Sequence, residues 1–113
     1  MKTSGQFRIV LVTCRTLKEG RKIACELVSK RLAACVNIAL SPVESFYTWK
    51  EKLEKTREYL LVIKTTKKRL ADLEKQVKRM HSYEIPEFIV LPISAGSSDY
   101  LSWLEQSVVR SRN

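Results

Sequence analysis

The stretch "CVNIALSPVESFYTWKEKLEKTREYLLVIKT", residues 35–65, decides the fold. Residues 35–49 read as one long strand interrupted at Pro42, residues 50–56 ("KEKLEKT") as a charged turn, and residues 57–65 ("REYLLVIKT") as the return strand, rich in branched and aromatic residues. On the N-terminal side, "FRIVLVT", residues 7–13, is a short apolar run typical of a buried strand. Thr16 and Glu19 have capping-box spacing, and Ile23, Ala24, Leu27, Val28 and Leu32 continue as a helical stripe. On the C-terminal side, Leu70, Leu73, Val77 and Met80 recur at helical spacing from about Thr66 to Met80. "EFIVLPI", residues 87–93, is a fourth strand, and Ser97 or Ser98 caps a last helix containing "DYLSWLEQSV" with Asp99 near its positive end.

The order is βαββαβ plus a terminal helix. Two right-handed crossovers around a hairpin predict an α+β, ferredoxin-like antiparallel sheet with an extra C-terminal helix. Proline lacks an N–H and belongs on edge strands or at bulges, so Pro42 and Pro92 put the second and fourth strands at the edges and the first and third at the centre. The 113 residues fit one domain spanning 1–113, with 1–6 and 110–113 as flexible ends.

Alternate side chains of a strand face opposite sides of its sheet. Phe7, Ile9 and Leu11 oppose Val10 and Val12, and Tyr59, Leu61 and Ile63 oppose Leu60 and Val62, so both faces of the central pair are apolar. Two helices cover one face. The other needs the terminal helix, further copies of the chain, or both. A second strand running over residues 35–49 would span roughly 50 Å at ~3.3 Å per residue, so its far half projects towards a neighbour. Phe46, Tyr47, Trp49, Tyr100 and Trp103 are candidates for packing between copies, because tyrosine and tryptophan combine an apolar body with a polar tip.

The chain contains no P-loop, GxGxxG, HExxH or nucleophile elbow, and its one histidine, His81, leaves no basis for a hydrolytic triad. Cys14, Cys25, Cys35 and His81 are too scattered for a tetrahedral zinc site. An odd number of cysteines without CxxC spacing argues against a disulfide framework. Helix and strand packing predicts that Cys25 and Cys35 are buried and that Cys14, at a strand end, is the most accessible. The net charge of +9 admits nucleic acid or acidic ligands, but much of it lies in "KKRLADLEKQVKR", the solvated face of an amphipathic helix. The third strand lacks the aromatics on which RNA-recognition modules stack bases, which disfavours nucleic acid as a partner. No apolar run approaches the ~20 residues of a membrane span, and "MKTSGQF" has no apolar signal core, so the expected compartment is the cytoplasm. His81 reads first as a helix-end residue whose imidazolium offsets the negative C-terminus. Glu84 and Glu87 read as solvated carboxylates, and Pro86 enforces extended geometry at Ile85.

In order, "KRLAACVNI", "SFYTWK", "EYLLVIKTT", "HSYEIPEFIVLPI" and "SDYLSWL" resemble the CutA family, the divalent-cation tolerance proteins, over nearly the whole chain. The resemblance implies a ferredoxin-like protomer in a tight homotrimer, tolerance to copper and other divalent metals, and no catalytic activity. It also implies a likeness to the PII signalling proteins, hence the alternative of a regulator that binds a small anionic metabolite or a partner protein, with Lys64 and Arg79 in play. RNA binding through the basic helix is a third reading. The chain departs from the family at Glu51, where relatives carry glycine and a different turn type is expected. It departs again at Val12, where some members have a metal-binding cysteine, and at Met80, which precedes the one remaining histidine. Cys14 and His81 are the candidate metal ligands here, for copper or another divalent cation. Lys64, Thr65, His81, Tyr83 and Glu87 are the expected lining of a cleft near the subunit boundary.

Overall fold

The computed structural model describes residues 1–109. Its elements are β1 (Phe7–Cys14), α1 (Leu17–Ser29), β2 (Cys35–Ile38), β3 (Val43–Trp49), β4 (Lys52–Thr66), α2 (Leu70–Met80), β5 (Ile89–Pro92) and α3 (Ser98–Ser107), with a 3-10 turn at Lys67–Arg69 before α2. The expected ends 110–113 lie outside the described residues. At the other end, Lys2 is held by two backbone hydrogen bonds to Gly96, so the N-terminal segment is tied down at that point.

All strand pairings are antiparallel, in the order β2-β4-β1-β5. The prolines foretold this arrangement. Pro92 sits in edge strand β5 opposite Arg8, and the proline-free strands β1 and β4 form the centre. The long second strand is a correction. Ser41 and Pro42 split it, so that β2 pairs with Leu61–Lys64 of β4 and β3 pairs with Lys52–Glu58. The charged segment is a second correction, because only Lys50 and Glu51 turn and β4 begins at Lys52. Both turn residues have positive φ, 52° and 68°. That is the type I′ geometry that matches strand twist, and here it is adopted without glycine. The β3–β4 ribbon extends beyond the sheet, and the chain's longest dimension is 45 Å.

Thr16 caps α1, its hydroxyl accepting from the Glu19 N–H at 3.1 Å, and Ser97 caps α3 in the same way through Tyr100 N–H. α1 buries Gly20, Ile23 and Leu27, and α2 buries Leu73, Gln76 and Val77. Ile23, Leu27, Leu73 and Val77 meet Val10, Val12, Leu61 and Ile63 in the main core. Val28 belongs to the expected stripe but is exposed, and Leu32 is buried just past the helix end. Arg31 takes a left-handed conformation there, φ 58°, and reverses the chain. The basic residues of α2 face water, as expected; Lys78 pairs with Glu74 at 3.2 Å. On the opposite sheet face, α3 packs Leu101 and Leu104 on Phe7 and Ala34. It covers only that end. Ile9, Leu11, Leu60 and Val62 stay partly exposed, and Ile89 and Leu91 are 47% and 43% exposed.

The cysteines reverse the expectation. Cys14 is buried, Cys35 intermediate and Cys25 exposed. Cys25 falls between the inward turns at Ile23 and Leu27. Cys35 lies on an edge strand opposite Lys64. Cys14, although at a strand end, is roofed by α1 where Gly20 lets the helix approach closely: a Cβ on Gly20 would lie 3.8 Å from that of Cys14.

Candidate functional site

Two groups of polar side chains meet at the end of the sheet where β1 stops and the ribbon begins. The first lies on the α1/α2 face. Cys14 ends β1, Glu19 occupies the first turn of α1, and His81 follows the last turn of α2. Their Sγ, carboxylate and imidazole donor atoms all lie within 4.8 Å of one another. The His81 ring sits at the end of α2, where the sequence places it, and is buried. Its Nε2 donates to Thr13 O at 2.7 Å, and its Nδ1 accepts from Tyr83 N–H at 3.0 Å. Glu19 Oε2 is 3.6 Å from Nδ1 and is buried without a hydrogen-bond partner. The capping box is therefore half made: the Thr16 hydroxyl serves Glu19 N–H, while the Glu19 carboxylate turns inward. Burial, reinforced by the charges of Glu19 and Glu58, pushes the Cys14 thiol up to about 12.

This donor set fits a thiophilic or borderline cation. It combines a thiol, an imidazole and a carboxylate. The hydrogen bond from Nε2 to a backbone carbonyl is the outer contact that orients a histidine ligand through Nδ1. An ion held by Nδ1 would have to replace the Tyr83 N–H, and one held by Sγ would have to displace the thiol proton. An unpartnered buried carboxylate oxygen beside them is a costly feature that a cation relieves.

The second group lines a cleft of about 750 Å³ on the other face, between the ribbon and the segment Ser82–Glu87. The ribbon contributes Ser45, Phe46, Tyr47, Trp49, Glu54 and Glu58. Tyr83 joins the two groups. Its backbone binds His81, its ring lies 4.8 Å from the imidazole, and its hydroxyl donates to Glu58 Oε2 at 2.8 Å. Burial and the Glu58 hydrogen bond raise the Tyr83 hydroxyl above the ordinary tyrosine range. Partial burial, then the charge of Glu58, raises the Glu87 carboxyl.

The structure brings Cys14 and His81 together and places Tyr83 and Glu87 on the cleft. It separates Lys64 and Thr65 from them. These lie six and seven residues beyond Glu58 on β4, roughly 20 Å away at ~3.3 Å per residue. There Lys64 binds Asn37 Oδ1, and the buried Thr65 hydroxyl donates to Leu32 O at 2.7 Å. Sequence reasoning missed Glu19, whose capping spacing already explained it, and Glu58, which precedes the apolar run of β4. An acidic residue on the same alternation as the apolar Leu60 and Val62 was the available signal for Glu58. Phe46, Tyr47, Trp49, Tyr100 and Trp103 are all substantially exposed on this chain.

The sheet, its three helices and its projecting ribbon define the architecture of the divalent-cation tolerance proteins. The chain belongs to the family described as CutA1 divalent ion tolerance protein, which it matches over residues 8–107. It is 37% identical to the divalent-cation tolerance protein CutA of Archaeoglobus fulgidus over 88% of this chain and 95% of that protein. The corresponding figures for the Thermus thermophilus protein of that name are 40%, 88% and 95%. The Arabidopsis thaliana relative, named as chloroplastic, is 43% identical, and the chain spans about half of it, 54%. Among solved structures, Oryza sativa CutA1 superposes with a TM-score of 0.90 at 40% identity, covering 97% of this chain and 100% of that one. The Thermus thermophilus structure gives 0.88 at 39%, covering 91% and 99%. The Archaeoglobus and Thermus proteins are named for cation tolerance and not for a catalysed reaction. Among the described residues no helix is long and apolar enough to cross a membrane.

Proposed function

We propose that the protein is a non-enzymatic, cytoplasmic homotrimer of ferredoxin-like protomers that acts in divalent-metal tolerance, with weak binding of copper or a similar cation at Cys14, Glu19 and His81. The observation that carries the reading is the convergence of those three donors around the buried, unpartnered Glu19 oxygen. Family membership supports the tolerance role, and the incompletely covered sheet face supports assembly. Cys14 takes the part that a cysteine at position 12 would otherwise play, and Glu19 supplies the donor that a second histidine would. The competing regulator of a small anionic metabolite draws no support from the cleft, whose charged lining is Glu54, Glu58, Glu84 and Glu87.

Native mass spectrometry with and without added copper tests the reading, because it reports subunit count and bound metal together. The expected result is a trimer that takes up copper, with uptake lost in Cys14→Ser and reduced in Glu19→Gln while the trimer persists. Undiminished copper uptake by both variants would exclude the cluster, and a monomer in the wild type would exclude the assembly. ATP and single-stranded RNA in the same experiment test the other two readings; binding of either at low micromolar concentration would replace the metal as principal ligand.

A further inference from the structure

A second cavity, of about 510 Å³, lies where β4 ends and the Lys67–Arg69 turn leads into α2, at the end of the sheet opposite the ribbon. Its volume is in the range of small-molecule sites. Thr66 stands at the N-cap position of that turn with extended backbone, yet its hydroxyl caps nothing. The residue is 5% exposed, lines the cavity and makes no side-chain hydrogen bond among the described residues. A buried hydroxyl in that condition is costly unless something in the cavity meets it. The Lys67 N–H is taken by Gln6 O at 2.6 Å, whereas the N–H groups of Lys68 and Arg69, next in the turn, have no backbone partner among the described residues. Such leading N–H groups carry the positive end of the helix dipole. Lys68, also on the cavity wall, adds an ammonium that has no ion pair among the described residues. The two carboxylates of the lining are engaged. Glu105 accepts from Gln6 Nε2 at 2.8 Å, and Asp72 lies 3.8 Å from the guanidinium of Arg69, whose Nε donates to Arg31 O at 3.2 Å.

We propose that this cavity binds a phosphoryl group, free or carried by a small metabolite, through the Thr66 hydroxyl, the Lys68 and Arg69 N–H groups and the Lys68 ammonium. A phosphoryl group offers several acceptor oxygens to these donors, and a helix N-terminus favours its negative charge. A metal cation would meet the positive end of the helix and an unpaired ammonium, and is disfavoured. Val108 and Val109 give the opposite wall an apolar part against which the body of a metabolite rests. The 11 residues of α2, roughly 16 Å at ~1.5 Å per residue, separate this cavity from the Cys14–Glu19–His81 cluster. The inference adds a site to the metal reading and does not rest on it, so either can fail without the other.

Amide NMR of the full-length protein at constant ionic strength, titrated with inorganic phosphate and with glycerol 3-phosphate, tests the proposal, with acetate and glycerol as controls. The Lys68 and Arg69 amides should shift saturably with both phosphates and not with glycerol. Tighter binding of glycerol 3-phosphate assigns the cavity to a phosphorylated metabolite; otherwise free phosphate is its ligand. Thr66→Val and Lys68→Gln should each weaken binding by about threefold or more. Lys75→Gln, which removes the same charge from the exposed face of α2, should leave it unchanged. Lys68→Gln, on the surface, serves alone if Thr66→Val misfolds, and native mass spectrometry checks that subunit count is unchanged. No saturable shift with either phosphate, as when a neighbouring copy fills the cavity, overturns the proposal. So does an equal response to acetate, binding that both site variants leave intact, or a loss as large in Lys75→Gln.

Discussion

His81 shows most clearly how burial changes the meaning of a residue. At a solvated helix end its removal would cost a few tenths to 1 kcal/mol. Here His81→Ala strips a hydrogen bond from Thr13 O and another from Tyr83 N–H inside the fold, and should lower stability by about 2–4 kcal/mol in urea unfolding. A loss below 0.5 kcal/mol would contradict the buried network. Tyr83→Phe removes the hydroxyl donor to Glu58 and should cost about 1–3 kcal/mol in the same assay. Cys14 makes a pH-dependent prediction for the metal-free protein. Burial raises its thiol from 9.0 to about 12, so the folded chain holds that proton more tightly than the unfolded chain. The stabilisation is complete below pH 9 and is lost as pH rises towards about 12. Cys14→Ala should flatten the alkaline limb of a stability curve. A thiol reagent at neutral pH should label Cys25 first, Cys35 next and Cys14 last, and labelling of Cys14 first would mean the α1 roof opens readily.

Among the elements, the hairpin is where local preference and final geometry disagree most. Lys50 and Glu51 occupy left-handed conformations that cost a side chain about 1 kcal/mol relative to glycine. The ribbon imposes them, because its right-handed strand twist closes on a primed turn. The turn at Glu51 is thus a primed one with both central residues left-handed and neither of them glycine. Glu51→Gly should stabilise the protein by about 0.5–1 kcal/mol, read as a higher urea midpoint at constant slope; a lower midpoint would mean that Glu51 makes contacts outweighing its strain. Pro42 acts at the same scale. By breaking one expected strand into two, it lets β4 serve both the main sheet and the ribbon, and the cleft forms at that junction.

At the scale of the molecule, the open sheet face governs behaviour in solution. Ile9, Leu11, Leu60, Val62, Ile89 and Leu91 form a continuous apolar area that α3 leaves uncovered beyond Phe7. If copies of the chain cover it, the interface belongs to the obligate class that commonly buries more than ~2,000 Å², and the assembly survives dilution. Sedimentation at micromolar concentration should show a trimer. The double variant Ile89→Lys/Leu91→Lys, which charges the edge strand without touching the main core, should dissociate it while helical circular dichroism persists. A soluble wild-type monomer would show that the face tolerates water.

The sequence by itself determined the three helices, the order of the main elements and the central position of β1 and β4, though not the split of the second strand, because periodicity, capping residues and the missing N–H of proline are local signals that survive in the fold. The caps at Thr16 and Ser97 and the inward stripe of α2 were legible for that reason. Only the tertiary structure decided which polar groups meet. Cys14, Glu19 and His81 belong to three separate elements, and they converge because α1 and α2 pack on one face beside the end of β1. Glu58 joins Tyr83 and Glu87 because the ribbon folds over the segment before β5. Lys64 and Thr65 follow Glu58 on the same strand, yet the extended backbone carries them to the other end of the sheet. Burial of the cysteines was settled in the same way, by which helix covers which strand end, and short-range pattern does not carry that information.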